Sequence, residues 1–144
     1  MAMAFVTVNW VSILLAAVAA WIFGGVYYTS MSKPWLAAQG KTLEQCKAEQ
    51  AGKSGAAKAA PFILVFIGEI IIAWALYGVL VHMNAFTLRA GIIAACLIWF
   101  GFVMTTMTAN NAFGGKKAML TVIDGAAWLG AFVIIGAIVG GMGR

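Results

Sequence analysis

Four apolar stretches, each long enough to cross a bilayer, constrain this chain more than any other feature. They run roughly over 8–28, 61–81, 88–108 and 118–139. A membrane-crossing helix needs about 20 mostly apolar residues, because each residue adds only about 1.5 Å. The runs are continuous and lack period-two alternation, so they predict helices rather than barrel strands. Composition agrees, with 64% of the 144 residues hydrophobic and 9% charged. Soluble domains carry about 25% charged residues, and so few charges cannot keep a soluble surface wet. The expectation is an all-α integral membrane protein, a four-transmembrane-helix bundle forming one domain over residues 1–144.

Charge placement orients the bundle. The loop over 29–60 carries Lys33, Lys41, Lys47, Lys53 and Lys58, and the loop over 109–117 carries Lys116 and Lys117. The opposite side shows Arg89 and Arg144. The positive-inside rule predicts both loops in the cytoplasm and both termini outside it. A basic excess of this kind reports orientation, so no nucleic-acid partner is expected and the lipid bilayer is. "AVA" at 17–19 resembles a signal-cleavage site, but residues 1–10 carry no Lys or Arg and the apolar run continues beyond it. A retained first span is therefore expected. In the long loop, "TLEQ" at 42–45 matches a capping box opening a short helix, with Gly52 placed to close it. Its lysines read either as a solvated connector or as contacts to anionic headgroups. Cys46 lies in that polar loop and Cys96 in an apolar span, so no disulfide framework is implied. With His82 the single histidine, no metal-ligand cluster is visible and no cofactor is expected.

Two carboxylates are out of place. Glu69 interrupts "FIGEIIIAW" in the second span, and Asp124 interrupts "TVIDGAAW" in the fourth. An acid inside a span costs about 2.5–3.5 kcal/mol on insertion scales and marks a functional site by default. Counted from Pro61 and Ala118, the two acids fall at similar depth, near the lysine-bearing side. The third span ends there with "TTMTANN" and the first with "YYTS". Glu69, Asp124, Thr105, Thr106, Asn110, Tyr28 and Thr29 thus define one expected intramembrane polar layer. The competing reading makes these groups glue between helices, with the Thr hydroxyls bonded to their own backbone. Trp10 and Trp35 read as interface anchors, and Trp21, Trp74, Trp99 and Trp128 as packing. Small residues mark helix-packing seams: Ala16, Ala20 and Gly24; Gly91 and Ala95; Gly136 and Gly140. Those seams raise the expectation of a homo-oligomer or of membership in a larger membrane complex.

"FGGVYYT" at 23–29 and "FGFVMTT" at 100–106 share F-G-x-V-x-x-T, and each following span carries an acid and then a Trp. The pattern suggests two tandem helical hairpins. The stretch "GGVYYTSMSKPW", together with "FGFVMTTM", also resembles a family of small four-span bacterial membrane proteins. That family is known as domain of unknown function seventeen sixty-one. The matching positions are Gly25, Tyr28, Lys33, Pro34, Trp35, Gly101, Phe102, Thr105 and Thr106. The resemblance implies the fold and a location in a bacterial inner membrane, and carries no activity with it. It departs in the fourth span, where relatives have a bulkier segment than "IDGAAW", so it lends Asp124 no role.

Three functions remain open from the residues. The leading one is a structural or accessory bundle that self-associates or joins a complex. The alternative is a bundle that moves a proton or solute by way of Glu69 and Asp124. The third, an enzyme acting on lipid with the two carboxylates as acid and base, lacks a visible nucleophile–base pair or metal set.

Overall fold

The structure, a computed structural model, describes residues 7–143; Arg144 lies outside them. Six helices follow one another: α1 (Trp10–Ser30), α2 (Ser32–Gln39), α3 (Leu43–Ala51), α4 (Gly55–Met83), α5 (Leu88–Phe113) and α6 (Ala118–Met142). Helices α1, α4, α5 and α6 are long and apolar enough to cross a membrane, which makes the protein a four-span helical bundle. Among the described residues there is no strand.

Local chemistry explains the boundaries. The Asn9 side chain accepts from Ser12 N at the start of α1, and Thr87 accepts from Ala90 N at the start of α5. The capping box of α3 forms in both directions: Gln45 N donates to Thr42 Oγ1, and Thr42 N donates to Gln45 Oε1. Helix α4 starts at Gly55, ahead of Pro61, because Ser54 caps it by accepting from Ala57 N. Helix α2 ends at Gly40, whose φ of +71° favours glycine; Gly40 N bonds Ala37 O and Lys41 N bonds Leu36 O, a Schellman pair.

Helix α6 is the hub. It packs against α1, α4 and α5 and is the most buried span. Ala131, Phe132, Ile135 and Val139 of α6 meet Ile13, Ala16 and Ala20 of α1, Leu76 and Leu80 of α4, and Ala94 and Ala95 of α5 in one core. The outward faces of the other spans carry Leu14, Val18 and Ile22, Ile63, Ile67 and Ile71, and Ile93 and Leu97. This is the lipid-facing pattern of a membrane bundle.

The tightest crossing joins α5 to α6. A Cβ placed on Gly91 would collide with the Gly136 carbonyl oxygen and lie 2.9 Å from the Gly140 Cα; one on Gly136 would lie 2.7 Å from the Ala95 Cβ. The Gly91, Gly136 and Gly140 seams thus close on each other within the chain. Gly24 has open space around its Cβ position, although Ala16 and Ala20 on the same helix are fully buried.

Midway along α5, Trp99–Met104 forms a π-turn. Such turns loosen the helix's own hydrogen bonding, and here hydroxyls take up carbonyls nearby. Thr105 Oγ1 donates to Gly101 O at 2.8 Å, and Thr108 Oγ1 donates to Met104 O at 2.7 Å.

Candidate functional site

Asp124 lies one and a half turns into α6, half-buried, with two donors on one oxygen. Tyr28 Oη donates to Asp124 Oδ1 at 2.8 Å, and Trp35 Nε1 donates to the same atom at 3.0 Å. Tyr28 stands at the end of α1 and Trp35 in the middle of α2. Their rings meet edge to face, with centroids 5.6 Å apart. The acid therefore clasps the short helix α2 onto the bundle. Apolar contact completes the clasp: Ala38 of α2 is buried with Leu120 and Ile123 of α6, flanked by Tyr27 and Met31. Lys117 Nζ donates to Ala37 O near the C-terminus of α2, at 3.1 Å. A cation suits that end, where backbone carbonyls lack helical partners.

Side chains from two other spans grip α6 at this level. Tyr27 Oη donates to Ile123 O at 2.9 Å and Trp99 Nε1 to Gly125 O at 3.0 Å. A Cβ on Gly125 would lie 2.8 Å from Met104 Sδ, so the Met104 side chain would have to move to admit one. Tyr27 and Met104 occupy equivalent places in the two F-G-x-V-x-x-T segments, and both segments lie against α6 here. Asn111 Nδ2 also reaches Thr121 Oγ1 at 2.9 Å.

Glu69 is elsewhere. Trp21 Nε1 donates to Phe62 O, and Asn9 N donates to Tyr77 Oη. These two contacts fix the antiparallel register of α1 and α4 and set Glu69 level with Ala16 and Ala17. Tyr28, the partner of Asp124, lies about eleven residues further along α1, roughly 16 Å at 1.5 Å per residue. Glu69 is 2% exposed, and its Oε2 is buried without a hydrogen-bond partner.

The expected polar layer is therefore divided. Tyr28 and Asp124 come together. Thr105 and Thr106 stand near their level but are exposed, and Thr105 is bonded to its own helix. Thr29 Oγ1 returns to Gly25 O at 2.7 Å and is also exposed. Asn110 and Thr106 line a shallow outer groove with Phe102 and Met107. Glu69 joins none of them. The depth count from Pro61 misplaced it, because α4 starts well before that proline. An acid–base pair of the two carboxylates does not form.

Two partners of α6 escaped the sequence reading. Trp35 looked like an interface anchor and Trp99 like packing, yet both donate an indole N–H to α6. For Trp35 a signal existed: it ends "GGVYYTSMSKPW", the stretch that carries the family resemblance and also holds Tyr28. For Trp99 no local signal marks the role.

The profile of a family described as "Protein of unknown function (DUF1761)" matches residues 11–140. The chain belongs to this family. No curated protein and no solved structure matches it. The DUF1761 match reaches into all four spans and includes Tyr28, Trp35 and Asp124, the three residues of the clasp.

Proposed function

We propose that this DUF1761 protein is an accessory helix bundle of the bacterial inner membrane. It acts by associating with itself or with a larger membrane complex, not by catalysis. The clasp supports this reading: Asp124, the acid best placed for chemistry near the membrane surface, is occupied in holding α2 against the bundle. Both loops face the cytoplasm and both termini lie outside it, on the balance of lysines between the two sides. Cross-linking in native membranes followed by mass measurement tests the association. A discrete species above the monomer mass is expected. A monomer with no co-purifying partner overturns the reading.

A second reading has its own observation, the unpartnered Oε2 of Glu69. A carboxyl buried in mid-span with no donor suits a group that takes up and releases a proton. Under this reading Glu69 carries a proton or proton-coupled solute across, and Asp124 has no part. The chain in liposomes then shows a flux that Glu69→Gln lowers by about a hundredfold or more, the lower end of a general acid–base contribution. Equal flux in both proteins removes Glu69 from the mechanism.

A further inference from the structure

On the side that carries the loops, three lysines stand on the rim of the bundle, near the ends of the spans. Lys33 lies in the first turn of α2, immediately after α1. Lys58 lies in the first turn of α4, which the Trp21–Phe62 contact sets beside the last two turns of α1. Lys116 immediately precedes Lys117, the residue that anchors α2. All three are exposed. Among the described residues none of them has an ion pair or a side-chain hydrogen bond. The clasp fixes Lys33 relative to Lys116, because it ties α2 to the start of α6, and the Trp21–Phe62 contact holds Lys58 on the same side of the bundle.

The acids of this side do not neutralise the rim. Glu44 and Glu49 both belong to α3, away from the bundle core. Glu49 is committed to Lys41 at 2.8 Å. That hydrogen bond holds the Glu49 carboxyl below its usual range and raises the Lys41 ammonium. Asp124 faces Tyr28 and Trp35. The rim is thus an unopposed positive surface on the loop side, and long lysine stems can lie along apolar surface while their ends reach anionic groups.

We propose that Lys33, Lys58 and Lys116 form a docking surface for the headgroups of anionic phospholipids, held in shape by the Asp124 clasp. This goes beyond the accessory reading and does not depend on it. The full chain is placed in nanodiscs of phosphatidylcholine with a minor share of phosphatidylglycerol, released, and its retained lipids are counted by native mass measurement. Phosphatidylglycerol is enriched over its bulk share, and high salt removes the enrichment. Each lysine changed to glutamine lowers retention about fivefold, the factor equivalent to the roughly 1 kcal/mol that a lysine gains near an anionic surface. Lys41→Gln, already committed to Glu49, leaves retention unchanged. Inorganic phosphate does not compete, since the site is built at the bilayer surface. The proposal falls if the wild-type chain retains phosphatidylglycerol only at its bulk share. It falls equally if the Lys33→Gln/Lys58→Gln/Lys116→Gln variant stays enriched, if Lys41→Gln loses as much as the rim variants, or if phosphate displaces the lipid.

Discussion

Gly91→Val is expected to destabilise the bundle by about 3 kcal/mol or more, the upper end of overpacking costs. The reason is backbone, not side chain. At Gly91 a Cβ meets the Gly136 carbonyl and the Gly140 Cα, and neither can rotate away. To admit valine, α5 must move off α6 along the whole crossing, and the Ala94–Ala95 contact with Ile135 and Val139 opens with it. Gly24→Ala is the control. Open space surrounds its Cβ position, so the variant should match the parent or gain up to about 1 kcal/mol from helix propensity. Unfolding of both variants in mixed detergent and SDS, followed by circular dichroism, measures the contrast. Equal midpoints for the two would mean that the α5–α6 crossing is not the tight joint described.

Asp124→Ala is expected to release α2. It strands the Tyr28 hydroxyl and the Trp35 indole N–H together, and leaving a buried donor unpaired costs about 1–3 kcal/mol each. Because both are only part-buried, a loss of about 2–4 kcal/mol is the reasonable sum. It should fall on the docked helix more than on the four spans. Trypsin cleavage at Lys41, just beyond the C-terminus of α2, in sealed, loop-side-out vesicles reads the release: the variant is cut faster while the spans stay intact, and Lys33 stays uncut because Pro34 follows it. Trp35→Phe should reproduce part of the effect and add little to Asp124→Ala, as expected for partners in one contact. If α2 resists trypsin equally in both proteins, Asp124 does not hold it, and a role for the acid outside the clasp returns to consideration.

The four spans were legible because hydropathy is a property of each stretch alone. So was the start of α3, where Thr42 and Gln45 sit three residues apart and bond as the motif requires. The site was less legible, for a physical reason. Asp124 meets Tyr28 across 96 positions and Trp35 across 89, and no periodicity reports pairings at that range. The depth of Glu69 was lost differently. Counting from Pro61 assumed that the proline marks the helix start, whereas the cap at Ser54 does. Register between helices comes from contacts such as Trp21 with Phe62, which depend on how helix faces turn toward each other. The glycine seams were visible as seams, but not which seam meets which. Gly91 is matched within the chain by Gly136 and Gly140, so any contact between copies must use other surfaces.

The hub position of α6 bears on how the chain is assembled. Spans enter a bilayer in chain order, and α6 comes after the three helices that surround it. Until it arrives, Ile13, Ala16 and Ala20 of α1 and Ala94 and Ala95 of α5 lack the surface they are shaped to meet, and the α2 clasp has no acid to hold. The earlier spans therefore wait with the α1–α4 contacts available and the rest of the core open. The entry of one helix then closes the core, the glycine joint and the clasp together.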